Sequence, residues 1–268
     1  MKNFVSPKNG KLSRIALEIL DDLSYSALMK ALRNKDVKIN GKRVSNDISL
    51  SVGDSVEIYY APVLAEKFTT VFSCDDILII NKKSGFTAES VYSELLKSYP
   101  DCKFIHRLDR NTSGLMVFAL NEKAETELLS AFKNRTIEKY YTAEVIGKMP
   151  KKEDVLSHYL IKDAKNSRVK IVPKKSAMSV AVKTGYKVIK ETDNTSTLLV
   201  ALYTGKTHQI RAHLAYIGNA IVGDGKYGDN AFNKKYGAKS QMLSATKLVF
   251  HFDKKSPLYY LDGKVFEL

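Results

Sequence analysis

One stretch of the chain concentrates residues that could do chemistry: Ile105-His106-Arg107-Leu108-Asp109-Arg110-Asn111-Thr112-Ser113-Gly114-Leu115. Asp109 sits between two arginines and runs into turn formers, then into an apolar run. Nearby guanidinium groups favour the charged form of a carboxylate. A charged carboxylate on a loop beside a rigid strand can serve as a nucleophile or a base. It can also cap the turn and pair with an arginine, and residue types alone favour that quieter reading.

Other constellations are weaker. Gly223-Asp224-Gly225-Lys226-Tyr227-Gly228 spells G-x-G-x-x-G. A dinucleotide site needs a preceding strand, a following helix and an acidic residue about 20 positions on. This match comes late in the chain and runs into Asp229-Asn230, so it is rejected. Gly205-Lys206-Thr207 resembles the end of a phosphate-binding loop, but Val200 stands where the first glycine belongs. His208 and His213 do not share a helix face and have no carboxylate ligand near them. Hydrogen bonding or RNA contact suits them better than a metal. No metal and no nucleotide-fingerprint site are expected from these residues.

The elements that must position Asp109 read as follows. Ile77 to Ile80 and Leu115 to Leu120 are short apolar runs with the look of buried strands. Helical spacing marks Glu89 to Tyr99, the stretch around Ala124, Leu128, Leu129 and Phe132, and Thr207 to Ile217. Strand-like runs lie at Tyr140 to Ile146, Val180 to Ile189, Leu198 to Leu202 and Leu248 to Phe252. Strands outnumber helices and come in neighbouring groups. This predicts one α+β domain over residues 71–268, with a mixed, largely antiparallel sheet flanked by helices.

A smaller module precedes it, residues 1–60, with 61–70 as linker. Tyr25, Leu28, Met29 and Leu32 fall at helical spacing after a candidate N-cap, Ser24. Val37 to Ile39 alternates like a strand, Asn40-Gly41 is a hairpin turn, and a second strand follows Gly53-Asp54. Arg33, Lys35, Lys38, Lys42 and Arg43 gather at the helix end and hairpin. They suit a solvated turn or a phosphate backbone equally.

Charge points the same way. With 43 Lys and Arg against 29 Asp and Glu, the 268-residue chain carries +14, which favours a polyanionic partner, first of all nucleic acid. Lys151, Lys152, Lys162, Lys165, Arg168, Lys170, Lys174 and Lys175 form either a solubilising loop or an RNA groove. Cys74 and Cys102 cannot build a disulfide framework or a cysteine zinc site. Met1 to Pro7 holds no apolar signal region, and the apolar runs are too short to span a bilayer. A cytoplasmic monomer away from membranes is expected.

The segment His106 to Leu115 resembles the signature of the RluA-type family of RNA pseudouridine synthases. Ile137-Glu138-Lys139-Tyr140-Tyr141-Thr142-Ala143-Glu144-Val145 resembles the family's tyrosine motif. Thr204-Gly205-Lys206-Thr207-His208-Gln209-Ile210-Arg211-Ala212-His213-Leu214 resembles its arginine motif, with Lys206 where the family usually has arginine. Leu23 to Val56 is similar to an S4-type RNA-binding module. The resemblance implies an isomerase that breaks the uridine N1–C1′ bond and rejoins C5 to C1′, with no cofactor. It implies Asp109 as nucleophile and Arg211 as its ion-pair partner. Tyr141 would stack on the base and help remove the C5 proton, while Tyr140 points to the opposite strand face. His106, Arg107, Lys206 and His208 would contact RNA, and the first two equally suit local hydrogen bonding. Large-subunit ribosomal RNA is the expected substrate, with transfer RNA, or a non-catalytic ribosome-assembly role, as alternatives. An S4-linked methyltransferase would need a donor-binding glycine loop, and none is found.

Overall fold

The structure, a computed structural model, describes residues 1–20, 22–60, 66–163 and 168–268. The chain divides into two compact units, Met1–Glu66 and Lys67–Leu268.

The first unit runs β1 (Lys2–Val5), β2 (Gly10–Lys11), α1 (Leu12–Ile19), α2 (Tyr25–Arg33), β3 (Val37–Ile39), β4 (Lys42–Val44), β5 (Ser49–Leu50) and β6 (Ser55–Ile58). Its sheet has the order β1-β6-β3-β4, and β2 pairs with β5. Ser24 caps α2 by accepting the Ala27 N–H at 3.1 Å. Asn40 and Gly41 both take positive φ, 51° and 78°, so two residues suffice to reverse β3 into β4. Leu12, Ile15, Leu28, Leu32, Val37, Val56 and Ile58 form the core between the helices and this sheet.

The second unit runs β7 (Phe68–Ser73), β8 (Ile77–Lys82), α3 (Ala88–Leu95), β9 (Lys103–Phe104), β10 (Ser113–Ala119), α4 (Glu122–Asn134) and β11 (Ile137–Ile146). It continues through β12 (Glu153–Asp163), β13 (Arg168–Val172), β14 (Val180–Glu191), β15 (Thr195–Leu202), α5 (Gln209–Tyr216), α6 (Asn230–Tyr236), β16 (Leu243–Phe250) and β17 (Val265–Glu267). Nine strands follow the order β13-β12-β14-β15-β11-β16-β10-β8-β7, with β17 on β16 and β9 on β10. The pair β10–β16 is parallel and the others described are antiparallel, so the α+β reading with a mixed, largely antiparallel sheet holds.

β8 and β10 are buried on both faces, which explains their unbroken apolar runs. Leu78, Ile80, Met116 and Phe118 pack with Val91 and Leu95 of α3 and Ile210 and Leu214 of α5. Ile77, Ile79, Leu115 and Val117 face Ala124 and Leu128 of α4 on the other side.

Two differences from the sequence reading are plain. Residues 68–70, read as linker, already belong to β7, because Phe68 and Thr70 pair with Lys82 and Ile80. Residues 61–65 of that linker, and Lys165, lie outside the described residues. The lysine-rich stretch contains two strands, β12 and β13. In β13, Val169 and Ile171 turn inward while Arg168 and Lys170 turn out.

Candidate active site

Asp109 lies on the loop between β9 and β10, and that loop is pinned from beneath. The Gly85 N–H and the Lys82 ammonium both donate to the Arg110 carbonyl, at 2.9 and 3.1 Å. The Ser84 hydroxyl donates to the Asn111 carbonyl at 2.9 Å. Lys82 is fully buried, and its other two donors go to the carbonyls of Lys83 and Phe86. Burial pushes its ammonium down to about 8, against the opposing pull of Asp109. Three carbonyls for three N–H groups is the complement a buried ammonium needs. Past the loop, Gly114 (φ 112°) stands opposite Ala245 in the parallel pair, where any Cβ would overlap the Ala245 backbone.

Arg211 reaches the site from α5. Its Nη1 donates to Asp109 Oδ2 at 2.8 Å. Its Nε and Nη2 donate to the two oxygens of Asp224, at 2.7 and 3.0 Å. Asp224 is buried and also accepts the N–H groups of Lys226 and Tyr227. Burial by itself would raise this carboxyl, but the guanidinium and the turn N–H groups hold it below the usual carboxylate range. The turn that spells a dinucleotide fingerprint therefore serves to bury an anchor for Arg211, a role missed in the sequence reading. Its signal is an aspartate inside a glycine turn shortly after the arginine motif.

The motif around Arg211 is braced by Gln209. Its Oε1 accepts from the Thr204 hydroxyl at 2.9 Å and the Lys206 N–H at 3.2 Å. Its Nε2 donates to the Lys183 carbonyl and the Thr184 hydroxyl. His213 is buried, with Nδ1 2.9 Å from the Thr184 hydroxyl and Nε2 3.0 Å from His158 Nδ1. Among the described residues, no group of His, Cys, Asp and Glu side chains is placed to hold a metal.

Tyr141 is buried on β11 and lines the same cavity as Asp109. Burial and the Asp109 charge push its phenol well above the usual range. A phenol so placed is protonated at neutral pH, which fits a stacking surface and hydrogen-bond donor better than a resting base. Tyr140 is only partly buried and donates to Glu138 at 2.6 Å, as the alternation of a strand requires.

The RNA-contact candidates separate. His106 accepts the Val117 N–H on Nε2 at 3.1 Å and stacks on Phe132, centroids 4.4 Å apart, so its ring is held locally. Burial pushes its imidazole down to about 3. Arg107 is exposed and pairs with Glu89 at 3.0 Å. Lys206 is exposed at the cavity mouth. His208 Nε2 lies 3.8 Å from Asp109 Oδ2, and its Nδ1 lies 3.0 Å from the Tyr227 hydroxyl. Burial lowers its imidazole, while Asp109 pulls the other way.

In the first unit, Arg33, Lys35, Lys42 and Arg43 are exposed around the α2 end and the β3–β4 hairpin. Arg43 donates to the Lys35 carbonyl at 3.2 Å, which ties the hairpin to the helix end. Lys38 differs: it is partly buried, with its ammonium 3.7 Å from Glu57.

The cavity measures about 730 Å³. Asp109 is the one carboxylate among its described lining residues, against Arg107, Lys133, Arg135, Lys139, Lys206 and Arg211. A single ion-paired carboxylate in a basic cavity also lined by a buried tyrosine suits chemistry on one residue of a polyanion.

Residues 76–216 match the family model described as RNA pseudouridylate synthase. The chain belongs to this family of RNA-modifying isomerases, in its RluA-type branch. It is 30% identical to an uncharacterized RNA pseudouridine synthase of Mycoplasma capricolum, over 99% of this chain and 96% of the relative. It is 35% identical to the dual-specificity RNA pseudouridine synthase RluA of Vibrio parahaemolyticus, over 69% and 78%. It is 29% identical to ribosomal large subunit pseudouridine synthase C of Vibrio vulnificus, over 86% and 81%. Among solved structures, human RNA pseudouridylate synthase domain containing 1 aligns with a TM-score of 0.64 at 25% identity, covering 78% of this chain and 91% of that one.

Proposed function

We propose that this pseudouridine synthase isomerises uridines in large-subunit ribosomal RNA, with Asp109 as the nucleophile toward the target nucleotide. The observation that carries the reading is the Asp109–Arg211 pair at 2.8 Å in a basic cavity lined by Tyr141. The reaction breaks N1–C1′, forms C5–C1′, moves a proton off C5 and returns one to N1, so atoms balance without a donor. Arg211 keeps the carboxylate aimed and charge-paired, and the Tyr141 ring gives the uracil a face to stack on. Relatives named ribosomal large subunit pseudouridine synthase C support the substrate class.

A uridine in structured RNA must leave its stack to reach Asp109, which costs about a few kcal/mol. The cavity cations offset this by holding phosphates. The first unit adds a second RNA contact in this reading, as an S4-like module whose basic hairpin grips flanking backbone.

The test is tritium release from RNA labelled at uridine C5, with wild type and Asp109→Ala, on unmodified ribosomal and transfer RNA separately. Release by wild type alone, and faster from ribosomal RNA, is expected. Faster release from transfer RNA would overturn the substrate. Release by Asp109→Ala would overturn the nucleophile. Tight binding of both RNAs without release would favour an assembly role.

A further inference from the structure

We infer that Tyr203, Gly185 and Lys183 form a stacking subsite at the cavity mouth for the nucleobase next to the target uridine. The inference rests on the RNA-isomerase reading above.

Tyr203 follows directly on β15 and lines the cavity, yet it is 44% exposed. The fold gives its polar end nothing to do. Among the described residues its hydroxyl has no hydrogen-bond partner, whereas Tyr140, Tyr227 and Tyr236 each engage theirs. An exposed aromatic ring with an unused hydroxyl at the rim of a basic cavity is a surface waiting for a flat partner.

The sheet is shaped to hold this ring. Gly185 on β14 is buried, and its φ is not positive, so backbone freedom does not explain the glycine. Space does. A Cβ there would meet Tyr203 Cε2 at 3.0 Å, its hydroxyl at 3.3 Å and Cζ at 3.5 Å. The absent side chain lets the ring lie down against the strand. Lys183, two residues earlier on the same strand face, places its ammonium 5.0 Å from the ring centroid. Lys206 is exposed on the same rim.

A flat ring with the Lys183 ammonium over it and Lys206 on the same rim fits a base whose phosphate draws the Lys183 ammonium aside as the base stacks. The target uridine itself occupies the cavity at Asp109 and Tyr141, so the base at the rim is its chain neighbour. Stacking is sequence-tolerant, because every base has a π-face. The subsite therefore fixes the position of the strand without reading its sequence.

The experiment compares Tyr203→Ala, Tyr203→Phe, Gly185→Ala and the double variant Gly185→Ala/Tyr203→Ala, with thermal unfolding as the folding control. Turnover is read by tritium release from unmodified ribosomal RNA. Stacking is read by quenching of 2-aminopurine placed beside a uridine in a short single strand. Tyr203→Ala should raise KM roughly tenfold with kcat unchanged, because stacking acts equally on ground and transition states. Tyr203→Phe should behave as wild type and keep the quench. Gly185→Ala should raise KM by lifting the ring, and should add nothing once Tyr203 is gone.

An unchanged KM and unchanged quench in Tyr203→Ala would overturn the subsite. So would a Gly185→Ala effect that persists in full in the double variant. Failure of the underlying reading looks different: wild type would release no tritium from any RNA, while the quench would still decide the stacking contact.

Discussion

Arg211 gives two of its three hydrogen-bonding nitrogens to Asp224 and only Nη1 to Asp109. The pair with the candidate nucleophile is thus the weaker end of a fixed bracket. Asp224, fully buried and capped by two turn N–H groups, sets where the guanidinium lies. Asp109 then receives one charge-assisted bond on Oδ2 and keeps its other oxygen for substrate.

Asp224→Asn should therefore damage both fold and turnover. A buried guanidinium would lose its main counter-charge, at a cost of roughly 3 kcal/mol. Turnover should fall by about tenfold or more as Arg211 loses its orientation. Denaturant unfolding and tritium release measure the two effects. Unchanged turnover would show that Asp109 alone can place Arg211.

Lys82→Met tests the support under the Asp109 loop. The substitution keeps much of the volume, removes the side-chain donor from the carbonyls of Lys83 and Phe86, and leaves the Arg110 carbonyl with the Gly85 N–H alone. Each lost donor costs about 1–3 kcal/mol where water cannot replace it. The unfolding midpoint should drop, and kcat should fall more than KM rises, because the Arg110 carbonyl adjoins Asp109. A stable variant with normal kcat would mean the loop holds itself.

Acid should destabilise the fold before most carboxylates titrate. Burial holds His213 at about 4 and His106 at about 3, against an ordinary 6.5. Between those values and 6.5 the unfolded chain binds protons that the folded chain refuses. Stability is complete above pH 6.5 and declines as pH falls below it, by up to about 1.4 kcal/mol per pH unit for each ring. Urea unfolding between pH 6.5 and 5 should show this slope, and His213→Gln should flatten it. A slope that persists in full in the variant would assign the protons elsewhere.

The basic hairpin of the first unit makes an ionic-strength prediction. Arg33→Glu or Lys42→Glu should weaken RNA binding and reduce the salt dependence by about one counterion for each phosphate no longer gripped. kcat at saturating RNA should stay the same. Lys38→Glu is a weaker test, because Glu57 already partners that ammonium. Filter binding across a salt series reads the slope, and equal slopes for wild type and variants would remove the hairpin from the interface.

What the sequence makes legible is local. Asp109 and Arg211 announce themselves through short motifs, although the fold joins them across 102 positions. Ser24, Asn40 and Gly41 act where their residue types direct, since caps and tight turns depend on immediate neighbours. Asp224 and Lys82 are hidden for the opposite reason. Nothing beside Lys82 in the polar run Asn81-Lys82-Lys83-Ser84 separates a buried ammonium from a solvated one, because its partner Arg110 is 28 residues away. β13 is masked by composition: lysine and arginine on its outer face obscure an alternation that Val169 and Ile171 carry. The sequence leaves His106 open between RNA contact and local hydrogen bonding, because its backbone partner, Val117, is 11 positions away.

The place of β16 in the sheet has a consequence during synthesis. This strand, residues 243–250, lies between β10 and β11, and among the described residues it alone joins the two halves of the sheet's strand order. Until it emerges from the ribosome, β11 offers a bare edge to other chains, and β10 is covered on that side by β9 at Phe118 and Ala119 alone. The Asp109 loop also lacks the Ala245 backbone against which Gly114 is seated. A nascent chain of this protein therefore cannot seat the Asp109 loop against its sheet before residues 243–250 are made.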